Sequence, residues 1–509
     1  MLEAKYTSET PLSHRKDYGQ FFTPAPVARL MAEWVLKDNP KTLLDPAFGL
    51  GVFYDEIKKI KPGNHILFTG YEIDKRILNY YGADNDHSDL TVINNDYLES
   101  DMGAYDGIIC NPPYMRFQKF LNRHKVLSTI EEKTKKKLVG YSNISSVFLV
   151  KAMQELNHNG RMAFIMPFEF FNTGYGKEIK KNLLEERLLK QIIIFSNEKD
   201  IFPDATTTIC ILLCRKDHKE DSVKITSIEN KSEIDNLHDI NDFCQHVIKY
   251  SDLPYNKKWT PIISALYSSH KIPEDFCNIS LYGAFKRGIA TGANGFFALT
   301  KSRIKEFQLG ENNICKCITK SQQIRKPVFT EDDFTELYND DKPVYCLDVK
   351  DHNSPSVRNY IKTGEHSEMH KRYLTKTRNP WYKIEHRHPA PILFGVFNRG
   401  RLKVVRNYSE AINFTCFHSF YPNLFGAENI NKLFAYFLSD RGQAIIKMNK
   451  RSYGNKLDKL EPGDLNDCLC PNQKQMKTLT EQEAANVIET AKSDEEAAIH
   501  KSNELVDKI

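Results

Sequence analysis

Residues Asn111-Pro112-Pro113-Tyr114 close an apolar run, Ile108-Ile109-Cys110, that Asp106-Gly107 opens. Each residue type has a chemical use. An asparagine side chain offers an acceptor oxygen to an exocyclic amine. Two prolines fix φ, supply no N–H, and leave rigid carbonyls presented outward. A tyrosine adds a flat face on which a planar base can stack. Together the four form a clamp for a planar amine such as adenine. Read without its neighbours, the same stretch is equally a strand followed by a Pro-rich turn.

The neighbours favour the clamp. Thr42-Leu43-Leu44-Asp45 predicts a strand, Pro46-Ala47-Phe48-Gly49-Leu50-Gly51 a Gly-rich turn, and a helix opens near Tyr54 and Asp55. Glycines in such a turn let backbone approach a ligand closely. The spacing is not Gly-x-Gly-x-x-Gly, and no Lys-Ser/Thr follows, so neither a dinucleotide nor a nucleoside triphosphate is indicated. A second strand, Leu67 to Tyr71, runs into Glu72 and Asp74, and Glu72 is placed to accept ribose hydroxyl hydrogens. A third, Leu90 to Ile93, runs into Asp96 and Tyr97. Asp96 could accept the amine of a nucleoside cofactor with Tyr97 beside the ring, or simply cap a turn. Strand, helix and acid recur as in a doubly wound α/β sheet.

This order resembles the TaqI-like, gamma class of S-adenosylmethionine-dependent DNA adenine-N6 methyltransferases of bacterial type II restriction-modification systems. Asp45-Pro46-Ala47-Phe48-Gly49-Leu50-Gly51 resembles the methionine-binding motif of that family, and Asn111-Pro112-Pro113-Tyr114 its catalytic motif. Gly19-Gln20-Phe21-Phe22-Thr23-Pro24 resembles the motif that precedes the cofactor turn. The resemblance implies an S-adenosylmethionine site formed by Thr23, Asp45, Pro46, Ala47, Gly49, Glu72, Asp96, Tyr97 and Phe148. It also places Phe202 against an extruded base, beside the catalytic Asn111, Pro112, Pro113 and Tyr114. Without it, Phe202 is a loop residue folded back on the core and Phe148 plain core. The implied chemistry is base flipping followed by direct in-line transfer to N6 of adenine, with no metal. The implied setting is a monomer in the bacterial cytoplasm that modifies double-stranded DNA, with a cognate restriction endonuclease acting separately. Cytosine-N4 methylation uses the same clamp, and a glutamine or RNA methyltransferase carries a similar one. A non-catalytic DNA-binding subunit fits the intact motifs least.

The chain has 509 residues, which sets a prior of more than one domain. Its net charge of +5 is mild, so nucleic-acid binding must rest on local patches. The 11 cysteines include no Cys-x-x-Cys pair, and the Cys315/Cys317 and Cys468/Cys470 spacings are read as coincidence. With no signal peptide, a reducing cytoplasm and no membrane span are expected.

The expected fold is an α/β, Rossmann-like methyltransferase sheet, mostly parallel with an antiparallel closing strand, plus a C-terminal mixed α+β DNA-recognition domain. The catalytic domain is expected over 1–225, a linker and junction over 226–271, the recognition domain over 272–471 and a polar C-terminal helix over 472–509. Thr23 is expected to cap a helix from Ala25 to Leu36. Beyond Ile272, basic residues, glycines and aromatics interleave, as duplex phosphates and base edges require. Gly283 to Phe297 resembles a segment of the recognition domain of TaqI-like enzymes. The candidate DNA contacts are Lys286, Arg287, Thr291, Asn294, Arg378, Arg387, Arg399 and Tyr453. Any single arginine among them is more simply a surface or phosphate contact than a base reader.

Overall fold

Alternate residues of the central strands go to opposite faces of one sheet, and both faces are buried. Ile108, Cys110, Met162, Phe164 and Met166 enter one core, whereas Leu43, Ile109, Ala163 and Ile165 enter the other. This is why these segments read as unbroken apolar runs. The computed structural model describes residues 2–63, 65–82, 87–114, 123–134, 143–195, 201–202, 208–235, 244–268, 272–453 and 457–509, with backbone alone at 123–125 and 452–453. Two compact units result: Met1–Tyr267 with Tyr453–Asn455, and Ser268–Ser452 with Lys456–Ile509.

The first unit contains β1 (Thr42–Asp45), β2 (Leu67–Tyr71), β3 (Leu90–Ile93), β4 (Tyr105–Cys110), β5 (Leu156–Pro167), β6 (Leu189–Phe195), β7 (Ile209–Arg215), β8 (Ser222–Ile228) and β9 (His246–Lys249). Their order is β3-β2-β1-β4-β5-β7-β6-β8-β9. Strands β3 through β5 pair in parallel, β7 is antiparallel to both its neighbours, β8 is parallel to β6, and β9 is antiparallel to β8. The large sheet is therefore mostly parallel, and β6 and β7 pair antiparallel as their short separation requires. Of the two antiparallel strands, β7 is interior and β9 closes that edge of the sheet. The expected boundary at residue 225 falls inside β8, whose Val223, Ile225 and Ile228 are buried. The expected linker holds β9 and a helix, Thr260–Leu266, whose Ile263 joins the core beside Trp259.

Helices α1 (Leu2–Glu9), α2 (Leu12–Tyr18), α3 (Ala25–Val35), α4 (Val52–Ile60), α5 (Lys75–Tyr81), α6 (Arg123–Thr134), α7 (Ile144–Glu155) and α8 (Gly176–Glu185) accompany the sheet. The register of the central strands is pinned by Asp106. Its carboxylate accepts the Lys41 and Thr42 N–H groups at 2.9 and 3.2 Å and the Asn157 amide at 2.9 Å. Strand order reverses between β1 and β4, and the crevice at the carboxyl ends of strands on either side of such a point is where open α/β sheets bind ligands.

The second unit mixes helices with three larger sheets. A five-stranded sheet runs Gly283–Arg287, Phe417–Pro422, Ile392–Gly395, Val404–Asn407, Val328–Phe329. A four-stranded sheet is built on Ile314–Ile318, and a three-stranded one joins Phe397–Arg399, Leu457–Lys459 and Arg451–Tyr453. The expected C-terminal helix is three: Gln473–Thr478, Glu481–Ala491 and Glu495–Val506. The last two bury Val487, Ile488, Leu505 and Val506, so that end is a packing element. No helix among the described residues is long and apolar enough to cross a membrane.

Candidate active site

The Gly-rich turn after β1 needs backbone that only glycine adopts without strain. Gly49 and Gly51 have φ of +55° and +74°, and a Cβ on Gly51 would lie 2.4 Å from the Tyr81 ring. The turn is held from below by Asp45, fully buried, which accepts the Ala47 N–H at 3.0 Å. It is held from the side by Glu72 at the end of β2. One Glu72 oxygen accepts the Gly49 N–H at 2.9 Å and the other the Asp74 N–H at 2.8 Å. Burial pushes the Asp45 carboxyl up to about 8, opposed by the Ala47 N–H and reinforced by the nearby Glu72. Burial likewise pushes Glu72 up to about 7 against its backbone donors. Both carboxyls are therefore biased towards the neutral, protonated form in the ligand-free protein.

A cavity of about 300 Å³ beside this turn is lined by Thr23, Pro46, Ala47, Gly49, Glu72, Asp96, Tyr97, Asn111, Pro113 and Phe148, among others. Asp45 lies beneath the lining, so its part is to hold the turn. Asp96 follows β3 with one oxygen accepting the Leu98 N–H at 2.9 Å. Burial raises its carboxyl, and that bond opposes the rise. The Phe148 ring, on α7, is centred 5.1 Å from the Tyr97 ring. Tyr97, expected beside the ligand, is at the cavity lining. It is 2% exposed, packed in the core, with its hydroxyl donated to Glu155.

Asn111 leaves the end of β4 with its amide committed. Its Nδ2 donates to the Phe21 carbonyl at 2.8 Å and to Thr23 Oγ1 at 3.0 Å. Its Oδ1 is buried and has no partner among the described residues. Thr23 therefore does not cap the helix expected after it: the N-cap of α3 is Pro24, and the Thr23 hydroxyl is spent on Asn111. Pro113 lines the cavity, whereas Pro112 is buried behind it. The Tyr114 ring meets Phe21 edge-on at 5.6 Å, and its N–H donates to the Gly19 carbonyl at 3.3 Å. The Tyr114 hydroxyl is buried without a partner among the described residues, and burial holds its pKa well above the ordinary value. Phe202 is not at the cavity. It is 4% exposed and packs edge-on against Phe195 at 5.3 Å, because an apolar ring at that turn finds the core next to it. The rest of that loop, residues 199–200 and 203–205, lies outside the described residues, as do Lys135, Lys136 and Lys137.

The N-terminal segment closes one side of the cavity in a way the motifs did not announce. Leu2, Glu3, Tyr18, Gln20 and Phe22 line it. Asp74 fastens this segment: it accepts His14 Nε2 at 2.8 Å, Gln20 Nε2 at 2.7 Å and the Arg76 N–H at 3.0 Å. The signal available was the second acid in Glu72-Ile73-Asp74, which has no use at the ribose position.

In the second unit, Lys286 and Arg287 are exposed on strand Gly283–Arg287, and Arg399 is exposed on strand Phe397–Arg399. Asn294 is exposed at the head of a short helix. Thr291 and Arg378, expected as DNA contacts, are both hydrogen-bonded within the unit. Thr291 is 1% exposed and its hydroxyl bonds Asn294, while the Arg378 guanidinium donates to the Ala290 and Thr291 carbonyls. Arg387 pairs with Glu385 at 2.8 Å. The Tyr453 side chain and residues 454–456 lie outside the described residues. No group of three or more His, Cys, Asp or Glu side chains among the described residues could hold a metal ion.

Residues 6–271 match the N-6 DNA Methylase family. The chain belongs to that family. It is an adenine-specific DNA methyltransferase. Residues 258–509 of this methylase match the C-terminal domain of the type II methyltransferase M.Eco57I. The methylase is 38% identical over 481 residues to the type II methyltransferase M.AccI of Acinetobacter calcoaceticus, covering 91% of this chain and 87% of that one. It is 22% identical over 494 residues to M.XamI of Xanthomonas campestris pv. amaranthicola, with the same 91% and 87% coverage. A solved structure of a nuclease-deletion mutant of the Type ISP restriction-modification enzyme LlaGI, with a DNA substrate mimic, shares its fold. That match has a TM-score of 0.53 at 11% identity, over 93% of this methylase and 55% of the longer LlaGI chain.

Proposed function

We propose that this methylase is the modification enzyme of a type II restriction-modification system, of the gamma class. It transfers the methyl group of S-adenosylmethionine to N6 of an adenine extruded from double-stranded DNA. The observation that carries the reading is Asn111, which lines the cavity with its amide nitrogen fixed by Phe21 and Thr23 and its acceptor oxygen buried without a partner among the described residues. The class assignment rests on the order of motifs, with the cofactor turn before the clamp and the recognition unit last.

The cavity fits the cofactor by its donor and acceptor set. Glu72 would hold the ribose hydroxyls, Asp96 the adenine amine and Phe148 the adenine face, with Asp45 holding the Gly-rich turn through the Ala47 N–H. When bound, the cofactor supplies a methyl group on a positively charged sulfur. The protein does the rest by positioning and electrostatics. An adenine amine inside a duplex is out of reach, so the base must leave the stack. Its lone pair is delocalised into the ring. Asn111 Oδ1 and the Pro112 carbonyl would accept its two hydrogens and favour a pyramidal nitrogen, which frees the lone pair for in-line attack. The nitrogen turns acidic as it gains the methyl group, so a weak acceptor suffices for its proton. Tyr114 would stack on the flipped base.

Lys286, Arg287, Asn294 and Arg399 are the remaining candidates for duplex contacts. The proposed enzyme works as a monomer in the bacterial cytoplasm beside a separate cognate nuclease. Expression in a methylation-deficient bacterial host, followed by modification-sensitive sequencing, tests the reading. N6-methyladenine in one short sequence context is expected, and N4-methylcytosine or unmodified DNA overturns it.

A further inference from the structure

Helix α7 carries a buried charged pair that methyl transfer does not use. Lys151 is 0% exposed and Glu155 2%, and their charged atoms lie 3.1 Å apart. Neither lines the cavity. Lys151 Nζ donates to the Tyr97 carbonyl at 2.9 Å and to Ser100 Oγ at 2.8 Å, and sits 3.9 Å from the centre of the Tyr97 ring. Glu155 accepts the Gly103 N–H at 3.0 Å with one oxygen and the Tyr97 hydroxyl with the other. Both charged groups thus grip the turn that follows β3, which is the turn that carries Asp96. The same face of α7 carries Phe148, since residues three and seven positions apart on a helix align. Lys133 of α6 adds one more bond, to the Ser100 carbonyl at 3.1 Å.

A buried ion pair is seldom more stabilising than apolar residues of the same volume, so stability is a poor reason for this one. What it does supply is direction. An apolar pair could fill the space but could not fix the rotation of the Asp96–Gly103 backbone against α7. We propose that Lys151 and Glu155 are positioning residues that set the Asp96 carboxylate against the Phe148 ring, and so make the cavity select a nucleoside with an exocyclic amine over its deaminated counterpart. The inference rests on the proposed assignment of Asp96 to the cofactor amine. The Lys151 charge also reaches Asp96 and favours the ionised carboxylate that an amine donor needs.

The test is calorimetric titration of the full-length protein with S-adenosylhomocysteine and with S-inosylhomocysteine, which carries an oxo group in place of the amine. Wild type should prefer the amino compound by roughly 30-fold or more, as a site built to bond a specific hydrogen donor does. Lys151→Met should cut that preference to about 5-fold or less, and should raise KM for S-adenosylmethionine while leaving kcat within about 3-fold. Glu155→Gln should lie between, and Lys151→Arg should restore part of the preference. Lys151→Met or Glu155→Gln with wild-type selectivity overturns the proposal. If Lys151→Met does not fold by circular dichroism, Glu155→Gln and Lys151→Arg decide it by the same ratio. If wild type itself ignores the amine, or Asp96→Ala keeps the preference, the Asp96 assignment is what fails.

Discussion

Asn111 is the residue on which the proposed chemistry turns, and its substitution should separate transfer from binding. Asn111→Ala should abolish methyl transfer, while S-adenosylmethionine affinity by calorimetry stays within about 3-fold, because no cofactor group is assigned to it. Tyr114 gives a second separation. Its hydroxyl is buried without a partner among the described residues, so Tyr114→Phe removes an unsatisfied polar group. That variant should unfold at equal or higher denaturant concentration and keep most of its turnover, whereas Tyr114→Ala should lose turnover far more than cofactor affinity. Asp45 and Glu72 make a prediction in pH. Their folded-state pKa values, about 8 and about 7, lie above the ordinary carboxyl values of 3.8 and 4.5. The folded protein therefore holds protons that the unfolded chain has released. Stability of the ligand-free protein from these groups is full below about pH 4 and falls as pH rises towards 8. Asp45→Asn should flatten that fall in urea titrations at pH 5 and pH 8.5. An equally steep fall in the variant would remove Asp45 as a source.

At the scale of elements, the turn between β1 and α4 concentrates the constraint. Gly49→Ala meets no atom closer than 3.9 Å and should cost about 1 kcal/mol for its positive φ alone. Gly51→Ala adds a clash with the Tyr81 ring, so a loss of about 1–3 kcal/mol with weakened cofactor binding is expected from denaturation and titration. Equal effects at the two glycines would argue against the packing seen there. This turn was legible in the sequence, as were β1 to β4 and their terminal acids, because apolar runs, glycines and acids are local signals. Less legible was whatever depends on distant partners. Thr23 looked like a helix cap since its position before Pro24-Ala25 permits that, but the Asn111 amide 88 residues away claims its hydroxyl. Phe202 looked functional through resemblance, and Phe195 captures it. Arg378 looked like a phosphate contact, while its real acceptors are carbonyls at Ala290 and Thr291. The extension of the sheet by β8 and β9 escaped notice because β8 alternates polar with apolar residues and β9 has only 4 residues.

For the whole molecule, the chain order keeps the two tasks apart. The cofactor cavity is built entirely from residues between Leu2 and Phe148. A fragment of residues 1–267 should therefore bind S-adenosylmethionine within several-fold of the full chain, yet fail to methylate a duplex in sequence context. Calorimetry and a labelled-methyl assay measure the two separately. Specific methylation by the fragment would place sequence reading outside the second unit. The charge balance agrees with this division of labour, since a net +5 over 509 residues leaves duplex attraction to local groups such as Lys286, Arg287 and Arg399.

Under the proposed mechanism, the fixed amide of Asn111 would also act as a filter on which bases can be used at all. Because both Nδ2 hydrogens are occupied by Phe21 and Thr23, the side chain cannot turn over to present a donor. Thymine and guanine bring a keto oxygen to the position where adenine brings hydrogens, and that oxygen would face Oδ1 lone pair to lone pair with no rotation to relieve it. In the proposed clamp a flipped thymine would thus be rejected by repulsion at Asn111 itself, independently of the recognition unit.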